Sequence, residues 1–364
     1  MKKHIFIIGD IEIGKKDIMD EFSDDKALIE FIEEIQTKTR DENLILVLNG
    51  DFFDFLKMDF RGVYPKHITE EVSLWKLERI MEAHPAVLGS LKQFVQNLNH
   101  QLYFIIGNHD ADLAWPLVQK KIHAYLGKNA LITFSYAYDE GDFHIEHGQL
   151  LDAFFSIDSK KPFFCIKGKQ VLNTPVGFRI FHKYLISLKR KFYKEEQFFP
   201  QEAVFKHFPK YEKEISKLKW LVAGKIFLLD PILHLNDPTY RVPYLSIAKH
   251  LWRHGKGTNH DDRLLDLAKL AKEQPMKKLH VLSHAHVFKD LQRYGQRFMI
   301  LDSWSNEYDF LSETKQKKPR TFAEIVTNNG RVVSAEMKTF TMAGERHHQG
   351  IQESQKESSV SLVT

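Results

Sequence analysis

The chain has 364 residues, 43% hydrophobic and 27% charged, with a formal net charge of +4. That balance is the balance of a soluble globular protein with one large or two ordinary domains, and it excludes disordered and fibrous classes. One cysteine, Cys165, excludes an internal disulfide and fits a reducing compartment.

Lys3 to Ile8 reads as a first strand ending at Gly9-Asp10-Ile11-Glu12. Its apolar run is too short for a secretory signal, and no stretch reaches the roughly 18 apolar residues of a membrane-spanning helix. A cytoplasmic or peripherally membrane-bound protein is expected. Asp25 to Thr37 places Leu28, Ile29, Ile32 and Ile35 at helical spacing. Leu44 to Leu48 is a continuous apolar strand that runs into Asn49-Gly50-Asp51. Val72 to Leu98 is helical with a break near Pro85, and Gln101 to Ile106 is a strand ending at Gly107-Asn108-His109-Asp110. Leu131 to Tyr138 and Phe143 to Glu146 read as paired strands, the second ending at His147-Gly148. Leu279 to Leu282 ends at Ser283-His284-Ala285-His286, and strands at Phe298–Leu301, Thr321–Thr327 and Arg331–Lys338 follow. Asn328-Asn329-Gly330 is a hairpin turn between the last two. A polar, Ser/Gln-rich stretch over 343–364 is expected to be a disordered tail. The domain division expected is 1–342, with 150–277 as a helical insertion.

Each of those strands delivers oxygen or imidazole ligands at its end: Asp10 and Glu12, Asp51, Asn108 and His109, His147, then His284 and His286. In α/β sheets the carboxyl ends of strands are where ligands bind, so these groups can converge. Asp51 has two carboxylate oxygens and can bridge two cations. Two divalent ions roughly 3.5–4 Å apart clamp the attacking and leaving oxygens of a phosphoryl transfer.

The ordered blocks Asp-x-Glu, Gly-Asp-x-x-Asp, Gly-Asn-His-Asp, His-Gly and Ser-His-x-His resemble the calcineurin-like metallophosphoesterase superfamily. The resemblance covers roughly residues 1–150 and 278–310. It implies an α/β fold, a two-layer β-sandwich flanked by helices, here with a large helical insertion. It implies two divalent metal ions, with Mn²⁺ expected and Fe, Zn or Mg as alternatives. Asp10, Glu12, Asp51 and His286 would hold one, and Asp51, Asn108, His147 and His284 the other. A metal-bound hydroxide would attack phosphorus. His109 would serve the leaving oxygen as general acid or charge stabiliser, with Asp110 orienting its ring, while Asp54 is expected to support the loop. Three positions depart from the pattern. Glu12 stands where the family usually has histidine, which favours Mn²⁺ or Mg²⁺ over zinc. Ser283 replaces a common glycine, and Gln149 follows His147-Gly148.

Between Phe155 and Trp220 lie 15 Lys/Arg, 6 Asp/Glu and 14 Phe/Tyr/Trp, a local balance of +9 that leaves −5 for the rest of the chain. One reading is a helical cap with its own aromatic core. Another is a basic, apolar-lined mouth suited to an amphiphilic phosphate ester or nucleotide–lipid pyrophosphate at an anionic membrane surface. In layout it resembles the insertion of the UDP-diacylglucosamine pyrophosphohydrolases of the same superfamily. Basic and aromatic residues also suit nucleic acid, so a nuclease or nucleotide phosphodiesterase is an alternative. A non-catalytic interaction scaffold of the same fold is another.

Overall fold

In the run Leu44-Ile45-Leu46-Val47-Leu48 every residue is buried, and alternate residues go to different places. Leu44, Leu46 and Leu48 enter one core, while Ile45 and Val47 enter another. Phe6 and Ile8 against Ile5 and Ile7 do the same in the neighbouring strand. A strand covered on both faces needs an unbroken apolar sequence, whereas a half-exposed one would alternate. The computed structural model describes residues 2–39, 42–192, 197–199, 201–255, 265–310 and 317–345. Of the expected tail over 343–364, only 343–345 lie among them.

Strands β1 (Lys2–Ile8), β2 (Asn43–Asn49), β3 (His100–Ile105), β4 (Leu131–Ser135), β5 (Ala137–Glu140) and β6 (Phe143–Glu146) come first. Within the stretch that follows are β7 (Phe163–Ile166), β8 (Lys169–Leu172) and β9 (Phe198–Phe199). The chain then adds β10 (Leu279–Leu282), β11 (Lys289–Arg293), β12 (Gln296–Ile300), β13 (Tyr308–Asp309), β14 (Arg320–Asn328) and β15 (Arg331–Phe340). One sheet has the order β15-β14-β1-β2-β3-β4 and the other β11-β12-β10-β6-β5. β1 to β4 are mutually parallel, and so are β6, β10 and β12. The parallel strands therefore bring their carboxyl ends to a common edge.

The two sheets share a core that includes Ile5, Ile45, Val47, Ile145, Val281, Met299 and Ile325. Helix Asp25–Lys38 covers the outer face of the six-stranded sheet with Ala27, Leu28, Phe31, Ile32 and Ile35, a single stripe at helical spacing. Beside it runs Pro85–Phe94, with proline at its first turn, preceded by the helix Glu70–Ala83, which the Thr69 hydroxyl caps. The break near Pro85 is thus a boundary between two helices. Helix Leu267–Glu273 covers the second sheet through Leu267 and Leu270.

Two sequence expectations change. Leu131 to Tyr138 is not one strand paired with Phe143–Glu146. The chain bends at Tyr136, so β4 stays in the first sheet beside β3 and β5 crosses to pair with β6 in the second. Ser135 Oγ donates to Ala137 O at 2.7 Å and stabilises the bend. The strand β11, Lys-Asp-Leu-Gln-Arg, was not anticipated, because a charged sequence is tolerated only on a sheet edge, which is where it lies. The stretch between β6 and β10 is largely helical, as expected, but contains the antiparallel hairpin β7–β8.

Candidate metal centre

The candidate ligands sit on unusual backbone. Asp10, Glu12, Asp51, His284 and His286 all have φ between 50° and 68°, a left-handed conformation that costs a non-glycine residue about 1–3 kcal/mol. The loops hold it by cross-bonding: Glu12 N donates to Asp51 O at 2.8 Å, and Asp10 N to Gly50 O at 3.2 Å. Two glycines make room for the side chains. A Cβ at Gly107 would lie 2.1 Å from Asp51 Oδ1, and one at Gly50 would lie 2.3 Å from the His147 ring.

Asp51, His147 and His284 each present a donor atom, all within 4.8 Å of one another. His147 is fully buried, and its Nδ1 donates to Asn49 O at 2.9 Å. That bond turns Nε2 toward Asp51 Oδ2 at 3.1 Å and Asn108 Oδ1 at 3.2 Å. Burial lowers the His147 pKa, but Asp51 and Asp10 outweigh it and push it up to about 10. Asp51 moves the other way: burial opposes its charge, and His147 and His109 hold it well below the ordinary carboxylate range. Asp10 is buried and takes the His284 N–H on Oδ2 at 2.9 Å. Its Oδ1 has no hydrogen-bond partner and lies 3.5 Å from His286 Nε2 and 3.8 Å from His147 Nε2. A buried carboxylate oxygen facing two imidazoles fits a cation, since an unpaired buried polar atom is otherwise costly. The donor set of carboxylate, imidazole and amide oxygen suits Mn²⁺, Fe or Zn.

A second cluster joins Glu12, Asp54 and His109. His109 Nδ1 is 3.0 Å from Asp54 Oδ1 and 3.6 Å from Glu12 Oε1. Burial lowers its pKa, yet Glu12, Asp51 and Asp54 together raise it to about 9, so the ring carries a proton. Asp110 does not orient this ring, contrary to the sequence expectation. Its carboxylate accepts the N–H of Gly107 at 2.6 Å and of Phe52 at 3.0 Å, and so ties two ligand loops together. Burial first, then the Asp51 charge, pushes it up to about 7. The spacing in Gly-Asp-Phe-Phe-Asp brings Asp54, not Asp110, under the imidazole, while Asp54 also accepts the Lys57 N–H as a loop cap.

The family model for calcineurin-like phosphoesterases matches residues 3–330. The chain belongs to that family. No curated protein matches the chain. Among solved structures, an archaeal phosphodiesterase matches with 10% identity and a TM-score of 0.33, covering 93% of this chain and 99% of its own. A putative 5′-nucleotidase from Staphylococcus aureus matches with 11% identity and a TM-score of 0.36, covering 97% of this chain and 58% of its own. Vacuolar Protein Sorting 29 from Cryptosporidium parvum matches with 10% identity and a TM-score of 0.29, covering 94% of this chain and 99% of its own.

This calcineurin-like phosphoesterase surrounds the predicted blocks with residues that sequence reasoning missed. Lys57, 3% exposed, donates to Glu12 Oε2 and Glu21 Oε2 at 2.6 Å each. Glu307 accepts from His286 Nδ1 at 2.6 Å and pairs with the Lys318 ammonium at 2.7 Å. Asp152 Oδ2 lies 3.2 Å from His284 Nε2. Gln149, one of the departures, is buried and donates to Ile106 O at 2.6 Å, a bond that positions the loop after β3. Ser283 takes the Asn49 amide on its hydroxyl at 3.0 Å. A cavity of about 260 Å³ opens on Asp51, Asn108, His109, His284 and His286, and the insertion adds Phe155, Phe181 and Lys189 to its wall. Among the described residues, no helix is long and apolar enough to cross a membrane.

Proposed function

We propose that this phosphoesterase hydrolyses phosphoester bonds with divalent metal bound by Asp10, Asp51, Asn108, His147, His284 and His286. The observation that carries the reading is the unpartnered Asp10 oxygen facing His147 and His286, beside an oriented Asp51–His147–Asn108 group. A bound divalent cation supplies Lewis acidity toward a phosphoryl oxygen and lowers the pKa of water. The chain supplies the rest. His147 is fixed by Asn49 O, so its ring cannot swing away from Asp51. His109, held by Asp54 and lining the cavity, offers a proton and a positive charge to a departing oxygen. Phe155, Phe181 and Lys189 give the cavity wall both apolar and cationic character. That supports an amphiphilic phosphate ester as substrate.

The test is a panel of phosphomonoesters, diesters and pyrophosphates with added Mn²⁺. Hydrolysis is expected, with Asp51→Asn and His284→Ala each losing more than the ~10–100-fold typical of an outer-shell change. Activity that survives both substitutions would refute the site. Preference for an oligonucleotide, with binding that weakens steeply as salt rises, would favour a nuclease instead.

A further inference from the structure

Lys57 closes a loop that begins at Asp51, and its side chain turns inward. Its ammonium lies 2.6 Å from Glu12 Oε2, 2.6 Å from Glu21 Oε2 and 3.0 Å from Asp54 Oδ2. A lysine has three N–H donors; here two go to Glu12 and Glu21, and the Asp54 carboxylate stands at ion-pair distance. Glu12 and Asp54 are both 2% exposed, so two of the three contacts are shielded from water. The opposing groups are also fixed. Glu21 is held from the far side by Lys189 at 2.7 Å, and Asp54 by His109 at 3.0 Å.

This ammonium occupies the second acidic cluster, the one built from Glu12, Asp54 and His109. A divalent ion drawn to the Glu12 carboxylate would sit beside a buried positive charge that cannot withdraw. Like charges in a low-dielectric interior repel strongly. Meanwhile Asp51 commits Oδ1 to the His109 N–H at 2.7 Å and keeps Oδ2 toward His147. The unpartnered oxygen of Asp10 also faces His147, and no ammonium is bonded to it. The two clusters therefore differ in kind: the first sets its carboxylates against imidazoles, which can give up a proton and bind a metal, and the second sets them against an ammonium.

We propose that Lys57 is a resident cation of the catalytic centre, so that each chain holds one divalent ion and one ammonium in place of two divalent ions. Glu12 is then the partner of Lys57 and not a metal ligand. This explains why a carboxylate stands at that position: an ammonium needs an anion beside it, which a neutral imidazole would not provide. Lys57 also lines the cavity, so it adds fixed positive charge next to a bound phosphoryl group. The inference rests on the metal-dependent reading above.

The experiment is metal stoichiometry on the full chain, loaded with Mn²⁺, desalted and measured by elemental analysis, with electron paramagnetic resonance on the same samples. The wild type is expected to hold one ion with the six-line spectrum of an isolated Mn²⁺. Lys57→Met is expected to take up a second ion and to show spin coupling, because Glu12 and Asp54 lose their cation. Glu12→Gln leaves Lys57 paired with Glu21 and Asp54, and it keeps the proposal testable if Lys57→Met does not fold. It is expected to retain one ion with an unchanged Kd. Two spin-coupled ions in the wild type, or a Kd weakened about tenfold or more in Glu12→Gln, would overturn the resident cation and leave the phosphoesterase reading intact. No bound ion in the wild type would overturn both.

Discussion

At the scale of single residues, His109 shows how neighbours set chemistry. Burial alone would strip its proton, but Glu12, Asp51 and Asp54 surround it and raise it to about 9. Asp54 alone of these touches the ring at hydrogen-bond distance, 3.0 Å. Asp54→Asn should therefore lower the His109 pKa in chelator-treated protein, read by NMR titration of the ring, and reduce kcat by about 10²–10⁴-fold with KM little changed. An unaltered titration would show that the ring does not depend on Asp54. The ligand residues were legible because each ends an apolar strand with a carboxylate, amide or imidazole. Lys57 was not, because a lysine in a loop reads as solvated. Two of the carboxylates around it, Glu12 and Glu21, come from a distant part of the chain, which no local pattern reveals.

Among elements, the strands of the second sheet carry a charge ladder away from the metal centre. His144 on β6 faces Asp139 on β5 at 2.9 Å and lies 3.0 Å from Glu146, with His280 of β10 opposite. Burial lowers the His144 pKa, but Asp139 and Glu146 raise it to about 9. Burial, then the charge of His144, lowers His280 to about 4. The signs follow. His144 binds its proton more tightly folded than unfolded, so its contribution is complete below about pH 6.5 and is lost as pH rises toward 9. His280 resists protonation when folded, so its contribution is lost as pH falls from about 6.5 toward 4. Chemical denaturation should show this part of the stability peaking near pH 6.5. The alkaline limb is on the order of 2 kcal/mol, reduced because Asp139 is half exposed. His144→Gln should flatten that limb; a limb unchanged by the substitution would assign the loss to other groups.

For the molecule as a whole, the helical run Pro209–Gly224, Lys225–Leu229 and Asp230–His234, the turn at Leu235 and the helix Tyr244–Gly255 leave large apolar side chains in water. Trp220, Leu228, Leu235 and Leu245 are between 71% and 89% exposed, and Lys217 and Lys249 stand exposed on the same helices. The inward side of these helices packs Val222, Ile226 and Ile247 with Phe154, next to the cavity-lining Phe155. If the substrate is amphiphilic, this surface should bind anionic vesicles in a salt-dependent manner. Trp220→Ser combined with Leu228→Ser should reduce co-sedimentation while hydrolysis of a small soluble ester stays unchanged. Equal recovery of wild type and double variant would remove the membrane from the account.

The amino-acid order by itself determined the buried central strands, the five ligand blocks and the family, because burial on both faces demands unbroken apolar runs and metal chemistry demands a narrow set of side chains at their ends. Tertiary structure alone decided the rest. It bent the chain at Tyr136 so that β4 and β5 enter different sheets. It gave His109 to Asp54 and left Asp110 to bind backbone. It brought Lys57 against Glu12, Glu21 and Asp54. Each of these depends on segments far apart in the chain meeting at one edge, and the electrostatics of such a meeting exist only once the sheets have packed.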